Sequence, residues 1–420
     1  MSGMTALRIA KYNIIVGQSG GPTAVINSSL AGVYKTAKER GFHKVYGMLY
    51  GIQGFLDEQY VDLSTQIHSD MDIELLKRTP SAFLGTCRYK LPEIHEKPEV
   101  YEKIFGILDK LEIEAFIYIG GNDSMDTIKK LSDYAIVKGY SQKFLGVPKT
   151  IDNDLALTDH TPGFGSAAKY IAASTKEVIR DAQGLSYKRE MITIIEVMGR
   201  NAGWLTGATA LAKTEECEGP DLIYLPEVPF DVDKFLKKVK ELLQKKKSVI
   251  VAVSEGIKLA DGRYVCELSG GSDYVDAFGH KQLQGTAAYL AGFLGHEIGC
   301  KTRSIEFSTL QRSASHMASR VDVNEAFMVG GAAVKAADEG DSGKMVVIDR
   351  VSDDPYMSAA GIYDVHRIAN NEKVVPRNWI NKEGNNVTAE FTNYIQPLIQ
   401  GDYQPYMVNG LPQHLVYKRK

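Results

Sequence analysis

The sequence predicts an α/β protein with mostly parallel sheets. Three observations support this fold class: short runs rich in valine and isoleucine, amphipathic stretches between those runs, and glycine or polar residues directly after each run. Buried parallel strands are typically continuous apolar runs, and their alternation with helices indicates an α/β layer architecture. Because ligands bind at the carboxyl ends of strands in open α/β sheets, we expect the functional residues at the strand–helix junctions.

The elements follow in chain order. The apolar runs predict strands over residues 12–18, 114–121, 142–148, 191–199 and 247–256. The stretches between them predict helices over residues 24–40, 99–111, 164–180, 231–246 and 281–297. Residues 350–420 are rich in tyrosine, asparagine and proline, and this composition predicts mostly loops that pack over the domains.

Composition narrows the class of protein. The chain has 420 residues, of which 44% are hydrophobic and 24% are charged, as expected of a soluble globular protein with two domains. A formal net charge of -3 indicates no basic surface for nucleic acid. No stretch reaches the roughly 18 consecutive apolar residues that span a membrane, and the first residues lack an apolar signal core. We therefore expect a cytoplasmic protein that binds neither nucleic acid nor membrane.

The four cysteines carry no recognisable site. Cys87, Cys217, Cys266 and Cys300 are scattered, with no CxxC pair and no neighbouring histidine pattern. This spacing argues against a zinc site and against a disulfide framework. The sequence predicts reduced thiols in the core or in loops.

Two glycine turns follow predicted strands. The first is GQSGGPT at 17–23, which contains Gly20 and Gly21, and the second is GGNDS at 120–124, before a helix predicted to begin near Met125. Such turns at helix N-termini favour phosphate binding. The alternatives are a tight strand–helix turn in the first case and a helix cap by Asn or Asp in the second. Neither turn matches GxGxxG or GxxxxGK[ST], which disfavours a dinucleotide-binding dehydrogenase and a P-loop protein.

A third junction, PKTIDND at 148–154, carries the most chemistry. It places Lys149, Asp152 and Asp154 directly after the predicted strand 142–148. Phosphoryl transfer to an alcohol needs an acceptor for the hydroxyl proton, a cation for the developing charge and oxygen ligands for Mg²⁺. A solvated polar loop is the alternative interpretation of these residues.

Six motifs occur in an order and spacing that resemble the phosphofructokinase family. They are SGG at 19–21, GTCRY at 85–89, GGNDS at 120–124, PKTIDND at 148–154, EVMGRNAGW at 196–204 and SEG at 254–256. The resemblance implies phosphoryl transfer to the 1-hydroxyl of fructose 6-phosphate. It also implies two similar three-layer α/β domains with the active site in the cleft between them.

The resemblance further implies how the chain is divided between these domains. Residues 1–164 together with about 323–375 are expected to bind pyrophosphate and Mg²⁺. Residues 165–322 are expected to bind fructose 6-phosphate, and 376–420 to form a C-terminal extension packed on the domains.

The family motifs assign roles residue by residue. Asp152 is expected to be the general base, with Asp154 assisting and Lys149 stabilising negative charge. The residues expected at the donor phosphates are Gly20, Gly21, Arg88, Asp123 and Ser124. The residues expected at the sugar phosphate are Thr150, Met198, Gly199, Arg200, Glu255 and Arg312, with His316 and Arg320 as neighbours. Taken singly, these residues could equally be a core methionine, surface arginines and a capped carboxylate.

Two positions imply pyrophosphate rather than ATP as the donor. ATP-using members of the family carry glycine where this chain has Asp123 and Lys149. A carboxylate at position 123 adds bulk and negative charge against a nucleotide, whereas an ammonium at position 149 stabilises a leaving phosphate. An ATP-dependent enzyme is the alternative within the family.

The metal site and the subunit interface depart from the family pattern. Asn122 stands where the family carries a metal-binding aspartate, so Mg²⁺ is expected at Asn122 and Asp123. This departure leaves a non-catalytic regulatory subunit that binds sugar phosphate as a further alternative. A family arginine that crosses a subunit interface aligns with Met191, and Arg189 is the nearest candidate. The resemblance implies a homodimer or a homotetramer.

Overall fold

The computed structural model describes residues 12–269, 283 and 285–418. Its strands are β1 (Asn13–Gln18), β2 (Val45–Met48), β3 (Tyr60–Asp62), β4 (Ile113–Gly120), β5 (Lys143–Pro148), β6 (Met191–Val197), β7 (Leu222–Tyr224), β8 (Ser248–Ser254), β9 (Lys301–Glu306), β10 (Lys344–Asp353), β11 (Tyr356–Asp364), β12 (Met407–Val408) and β13 (Leu411–Pro412). Its α-helices are α1 (Ile26–Arg40), α2 (Gly51–Leu56), α3 (Asp70–Arg78), α4 (Pro98–Lys110), α5 (Asn122–Lys138), α6 (Phe164–Leu185), α7 (Trp204–Gly207), α8 (Val232–Leu243), α9 (Thr286–Ile298), α10 (Leu310–Ser313), α11 (Arg320–Asp338) and α12 (Ala389–Ile395).

The larger sheet has seven strands in the order β11-β10-β5-β4-β1-β2-β3. Pairing is parallel from β10 to β2, and the edge strands β11 and β3 are antiparallel. Side chains alternate across the sheet, so Ile14 and Val16 pack with residues of α1 and α11 while Ile15 packs with residues of α4 and α5. Helices therefore cover both faces, which gives three layers.

The smaller sheet has four parallel strands in the order β7-β8-β6-β9. One face packs against α6 and α12, and the other packs against α8 and α9. Two three-layer α/β units with mostly parallel sheets are thus present, which confirms the predicted fold class.

The chain returns to the larger sheet after it has built the smaller one. Helix α11 packs against α1 and leads into β10, which pairs with β5. The five predicted strands are confirmed within two residues of their predicted ends. The predicted helices are confirmed with shifted ends; for example, α6 continues to Leu185, and α9 begins at Thr286, while 281, 282 and 284 lie outside the described residues.

The prediction that residues 350–420 form mostly loops is wrong at their start. The end of β10 and the whole of β11 form an antiparallel hairpin at the edge of the larger sheet. Strand β11 carries serine, alanine and glycine and is largely exposed, so it lacks the apolar run that marks a buried strand. Further on, Phe391, Ile395 and Leu398 are buried beside the smaller sheet.

A buried polar network ties the hairpin to the interior. His160 is 1% exposed, and its Nδ1 and Nε2 lie 2.7 Å from Asp159 Oδ2 and 2.6 Å from Glu325 Oε2. Tyr356 donates to Glu325 Oε1 at 2.6 Å, and Arg350 Nη2 lies 3.0 Å from Asp159 Oδ2. These five residues are called the His160 network below.

The structure bears on two sequence-based expectations, the state of the thiols and membrane-spanning helices. None of the four cysteines is in a disulfide bond, and Cys87, Cys217 and Cys266 are buried. Within the part of the chain that the structure describes, no helix combines the length and the apolar character needed to cross a bilayer.

Candidate active site

A cleft lies where the carboxyl ends of β1, β4 and β5 face those of β6 and β8. It consists of a first cavity of about 580 Å³ and a second cavity of about 250 Å³. Both cavities are lined by Gly21, Arg88, Lys149, Thr150, Asp152, Asp154 and Glu372. Because they share these residues, the two cavities form one continuous site with the PKTIDND segment at the junction.

The structure brings nearly all of the predicted site residues into this cleft. The first cavity adds Gly20, Asn122, Asp123 and Ser124. The second cavity adds Met198, Arg200, Glu255 and Arg312. Gly199 is outside both linings; its N–H donates to Glu255 Oε1 at 3.3 Å, and it therefore positions that carboxylate.

Three further candidates from the sequence lie outside the lining of both cavities. Arg189 and His316 are exposed and line neither cavity. Arg320 donates to the carbonyl oxygen of Asp402 at 3.2 Å, so it holds the C-terminal segment rather than a ligand in the cleft.

The first glycine turn brings cations close to the backbone. Gly20 has a φ of +75°, and a Cβ there would lie 3.2 Å from Lys149 Nζ. A Cβ on Gly21 would lie 3.1 Å from Arg312 Nη1. Glycine is needed at both positions because a side chain would strain the turn or displace a cation. Helix α1 begins at Ile26 rather than at 24, so its N-terminus does not follow Gly21 directly.

The second glycine turn differs from its predicted form. Helix α5 begins at Asn122, not near Met125, and Gly121 is its N-cap without a side-chain hydrogen bond. The alternative interpretation, a helix cap by Asn or Asp, is therefore wrong, and so is the predicted start near Met125. Asn122, Asp123 and Ser124 occupy the first turn of α5, at the positive end of the helix dipole and in the lining of the first cavity.

Lys149 lies at the junction of the two cavities. Its side chain is buried, and Nζ donates to the carbonyl oxygen of Gly21 at 2.7 Å. Burial lowers the pKa of Lys149 to about 8, and the nearby carboxylate of Asp152 only partly opposes this shift. The lysine therefore supplies a desolvated positive charge, which acts more strongly on an anion than an exposed charge does.

The carboxyl groups of the cleft also have shifted pKa values. Burial raises the pKa of Asp152, and burial followed by repulsion from Asp152 raises the pKa of Asp154 to about 7. The same two causes raise the pKa of Glu255 to about 8. Carboxyl groups with pKa values near neutrality suit proton transfer, because they gain and lose protons at working pH.

Two buried polar atoms in the cleft have no hydrogen-bond partner among the described residues. They are Nε of Arg312 and Oδ1 of Asn122. Buried polar atoms are nearly always paired, so each indicates a ligand that the cleft accepts. Arg312 suits an anion, and burial together with nearby Arg88 lowers its pKa. The amide oxygen of Asn122 suits a hard cation.

The described residues hold no cluster of three or more His, Cys, Asp or Glu side chains arranged for a metal ion. The oxygen atoms of Asn122, Asp123, Asp152 and Asp154 do line the first cavity. This donor set fits a divalent cation that is held mainly by the phosphates of a bound donor and by one or two protein oxygens.

Sequence reasoning missed several residues of the cleft, among them two asparagines and a glutamate. Asn201 lies in the second cavity, Asn370 in the first and Glu372 in both. Asn201 Nδ2 donates to both carboxylate oxygens of Glu372, at 3.2 and 3.4 Å. Asn201 falls inside the EVMGRNAGW motif, which was a usable signal. Asn370 and Glu372 come from the C-terminal part of the chain and belong to no motif.

The sequence model described as phosphofructokinase matches residues 13–337. The chain belongs to the phosphofructokinase family. The chain is 41% identical over 407 residues to the pyrophosphate–fructose 6-phosphate 1-phosphotransferase of Xanthomonas campestris pv. campestris, with 97% of this chain and 96% of the relative covered. It is 40% identical over 407 residues to the protein of the same name from Halomonas elongata, with 96% of each chain covered.

A solved structure supports the same relationship. The pyrophosphate-dependent phosphofructokinase of Nitrosospira multiformis superimposes with a TM-score of 0.87 at 38% identity, and 98% of this chain and 99% of that chain are covered. The likeness extends beyond residue 337, so most of the C-terminal segment of the chain is shared with that structure.

Proposed function

We propose that this protein transfers a phosphoryl group from inorganic pyrophosphate to the 1-hydroxyl of fructose 6-phosphate, giving fructose 1,6-bisphosphate and phosphate. The observation that carries the proposal is the position of Asp152 and Lys149, which line both cavities of the cleft. A proton acceptor and a buried cation at the junction of two anion-binding cavities are what in-line transfer between two phosphorylated ligands requires.

Each cavity has a role in this reaction. The first cavity binds pyrophosphate through the Gly20–Gly21 turn, Arg88 and the first turn of α5. The second cavity binds fructose 6-phosphate, with Arg312 on its phosphate and Glu255 on its hydroxyl groups.

Asp152 removes the proton of the 1-hydroxyl, and Asp154 assists by holding charge beside it. Thr150 orients the loop, since its Oγ1 accepts a hydrogen bond from the N–H of Asp152 at 3.0 Å. Lys149 and Arg88 stabilise the charge that spreads over the transferring group and the leaving phosphate.

The cofactor in this proposal is Mg²⁺. Asn122 and Asp123 would hold it together with the donor phosphates, because Oδ1 of Asn122 is buried without a partner in the described part of the chain. When bound, the ion supplies charge neutralisation between the phosphate groups. The enzyme acts in the cytoplasm as a homodimer or homotetramer.

Donor choice rests on Asp123 and Lys149. Asp123 lies in the first turn of α5 and lines the first cavity, where a nucleotide donor would have to extend past a carboxylate. Lys149 is well placed for the leaving phosphate of a short donor. Both positions carry glycine in ATP-using relatives, which supports pyrophosphate as the donor.

A donor comparison tests the proposal. Purified protein is supplied with fructose 6-phosphate, Mg²⁺ and either pyrophosphate or ATP at equal concentration, and fructose 1,6-bisphosphate is measured. We expect turnover with pyrophosphate and at least about tenfold less with ATP, which corresponds to about 1.4 kcal/mol of discrimination. Turnover with ATP alone would contradict the donor assignment. Binding of fructose 6-phosphate without turnover from either donor would support a regulatory subunit instead.

A further inference from the structure

A short part of the C-terminal segment, residues 372–373, contacts the loop that follows β5 directly. This loop, residues 149–160, carries Lys149, Asp152 and Asp154 and is called the catalytic loop below. Glu372 pairs with Leu155 in an antiparallel β-bridge, and the N–H of Lys373 donates to the carbonyl oxygen of Asp154 at 2.8 Å. Glu372 and Lys373 lie outside the region 13–337 that matches the family model. The backbone of the loop is therefore fixed by a segment that the family motifs do not include.

The ammonium of Lys373 adds three further hydrogen bonds to this loop. Nζ donates to Asn153 Oδ1 at 3.1 Å, to the carbonyl oxygen of Thr158 at 3.2 Å and to that of Asp159 at 2.7 Å. An ammonium has three donors, so each one is used. Nζ also lies 5.3 Å from the ring centroid of Trp204, a favourable cation–π distance. The lysine is thus held firmly in one position.

Asn153 connects this lysine to the catalytic carboxylates. It is fully buried and has a φ of +53°, a left-handed conformation that asparagine adopts more readily than most residues. Its side chain is held at both ends, because Oδ1 accepts from Lys373 and Nδ2 donates to Tyr394 Oη at 3.0 Å. Asp152 and Asp154, on either side of it, both point into the cleft.

We propose that Lys373 is a positioning residue for phosphoryl transfer: it holds Asn153 in its left-handed turn and thereby sets the direction of Asp152 and Asp154. This inference rests on the proposed function. Its action is indirect, because Lys373 lines neither cavity. Small displacements of a general base lower the rate much more than they weaken binding, so the effect belongs mainly to kcat.

The test compares two lysines that anchor the C-terminal segment. Lys373→Met is expected to lower kcat by about 10- to 100-fold, while KM for fructose 6-phosphate and for pyrophosphate changes by less than about threefold. The matched control is Lys169→Met. Lys169 Nζ holds the carbonyl oxygen of Gly401 at 2.7 Å and Asp402 at 2.6 Å, outside the cleft lining. This control is expected to keep kcat within about threefold.

Two further measurements separate positioning from loss of the fold. Tyr394→Phe removes one hydroxyl from the other end of Asn153 and keeps the aromatic packing, and we expect a smaller fall in kcat, about three- to tenfold. In Lys373→Ala, added n-propylammonium is expected to restore part of kcat, because it has the three carbons and the ammonium that the substitution removes, whereas n-propanol at equal concentration is not. Hydrogen exchange of residues 150–160 should rise in Lys373→Met and not in Lys169→Met.

The outcomes distinguish this inference from the proposed function. Wild-type turnover with pyrophosphate combined with an unchanged kcat in Lys373→Met overturns the inference alone. An equal loss in Lys373→Met and Lys169→Met, or a rise in KM alone, overturns it as well. A wild-type protein without turnover overturns the proposed function and the inference with it. A selective loss of kcat that propylammonium partly restores supports both.

Discussion

The protein contains two clusters of charged side chains in which burial has opposite outcomes. In the cleft, burial has the largest effect on the pKa values and outweighs the attraction between opposite charges. The pKa of Lys149 therefore falls to about 8, and that of Asp154 rises to about 7. In the His160 network burial also opposes charge, but attraction to close partners outweighs it. There the pKa of His160 rises to about 9, and that of Glu325 falls below its usual range.

The difference separates a reactive cluster from a structural one. In the His160 network the charged forms are favoured by short hydrogen bonds that the fold itself supplies. In the cleft, Nε of Arg312 and Oδ1 of Asn122 lack partners among the described residues. We infer that the substrates supply what the cleft lacks, and that the network stabilises the elements around it.

The largest effect on turnover is expected at Asp152. Asp152→Ser removes the proton acceptor and should lower kcat by about 10³-fold, within the 10²- to 10⁴-fold range typical of general base catalysis. Binding of fructose 6-phosphate, measured by calorimetry, should persist. The control is Asp57→Ser, which changes an exposed aspartate outside the cleft. A near-normal kcat in Asp152→Ser would remove Asp152 from the mechanism.

A second test concerns Arg312, whose Nε has no hydrogen-bond partner among the described residues. Arg312→Met should lower kcat/KM for fructose 6-phosphate by about 10- to 100-fold, because a hydrogen bond to a charged group contributes about 1.5–3 kcal/mol. The control is Arg40→Met, which removes a guanidinium that lies outside the cleft, at the end of α1, and is paired with Asp338 at 3.1 Å. If both variants lost the same activity, Arg312 would have no special role in binding phosphate.

The dependence of kcat/KM on pH tests the shifted pKa values in the cleft, and the expected effect is smaller than that of Asp152→Ser. The active form needs ionised Asp152 and Asp154, so kcat/KM should fall below about pH 7, approaching about tenfold per unit. It should also fall above about pH 8, where Lys149 loses its proton.

The variant Glu372→Gln tests whether the fall in kcat/KM at low pH reports titration of Asp152 and Asp154 or titration of the substrates. The charge of Glu372 raises the pKa values of Asp152 and Asp154, so its removal should move the acidic limb to lower pH. An acidic limb at the same pH in both proteins would assign it to the substrates.

The smallest effect on turnover is expected in the His160 network. His160→Gln should keep kcat within about threefold but lower the free energy of unfolding by on the order of 3 kcal/mol at pH 6.5. The folded pKa of His160 is above its unfolded value, so this stabilisation is complete below about pH 6.5 and is lost as pH rises through about 9. Urea unfolding at pH 6.5 and 9 measures this difference.

The control for this variant is His366→Gln. His366 also lies between two carboxylates, Asp133 and Asp364, at 2.9 Å from each, but it is exposed. Its replacement should cost less than about 1 kcal/mol. Equal destabilisation in the two variants would contradict the distinction between buried and exposed networks.

The sequence was sufficient for the five strands β1, β4, β5, β6 and β8 and for most of the cleft, but not for β2, β3, β7 and β9. Strands such as β4 and β8 are continuous apolar runs, and the proposed catalytic residues follow directly after strands, where a parallel sheet brings them together. The hairpin β10–β11 was missed because its outer strand is half exposed and pairs with a neighbour chosen by long-range contacts. Lys373 and Glu372 were missed for the same reason, since they reach the loop across more than 200 residues of chain.

The most direct test measures turnover with pyrophosphate and the free energy of unfolding on the same two variants, Asp152→Ser and His160→Gln. The two variants are expected to lose different properties. Asp152→Ser should lose about 10³-fold in kcat while its free energy of unfolding is unchanged or increased, and His160→Gln should lose stability while it keeps its turnover. Parallel losses in both variants, or pyrophosphate-dependent turnover that survives in Asp152→Ser, would contradict the assignment of catalysis to the cleft.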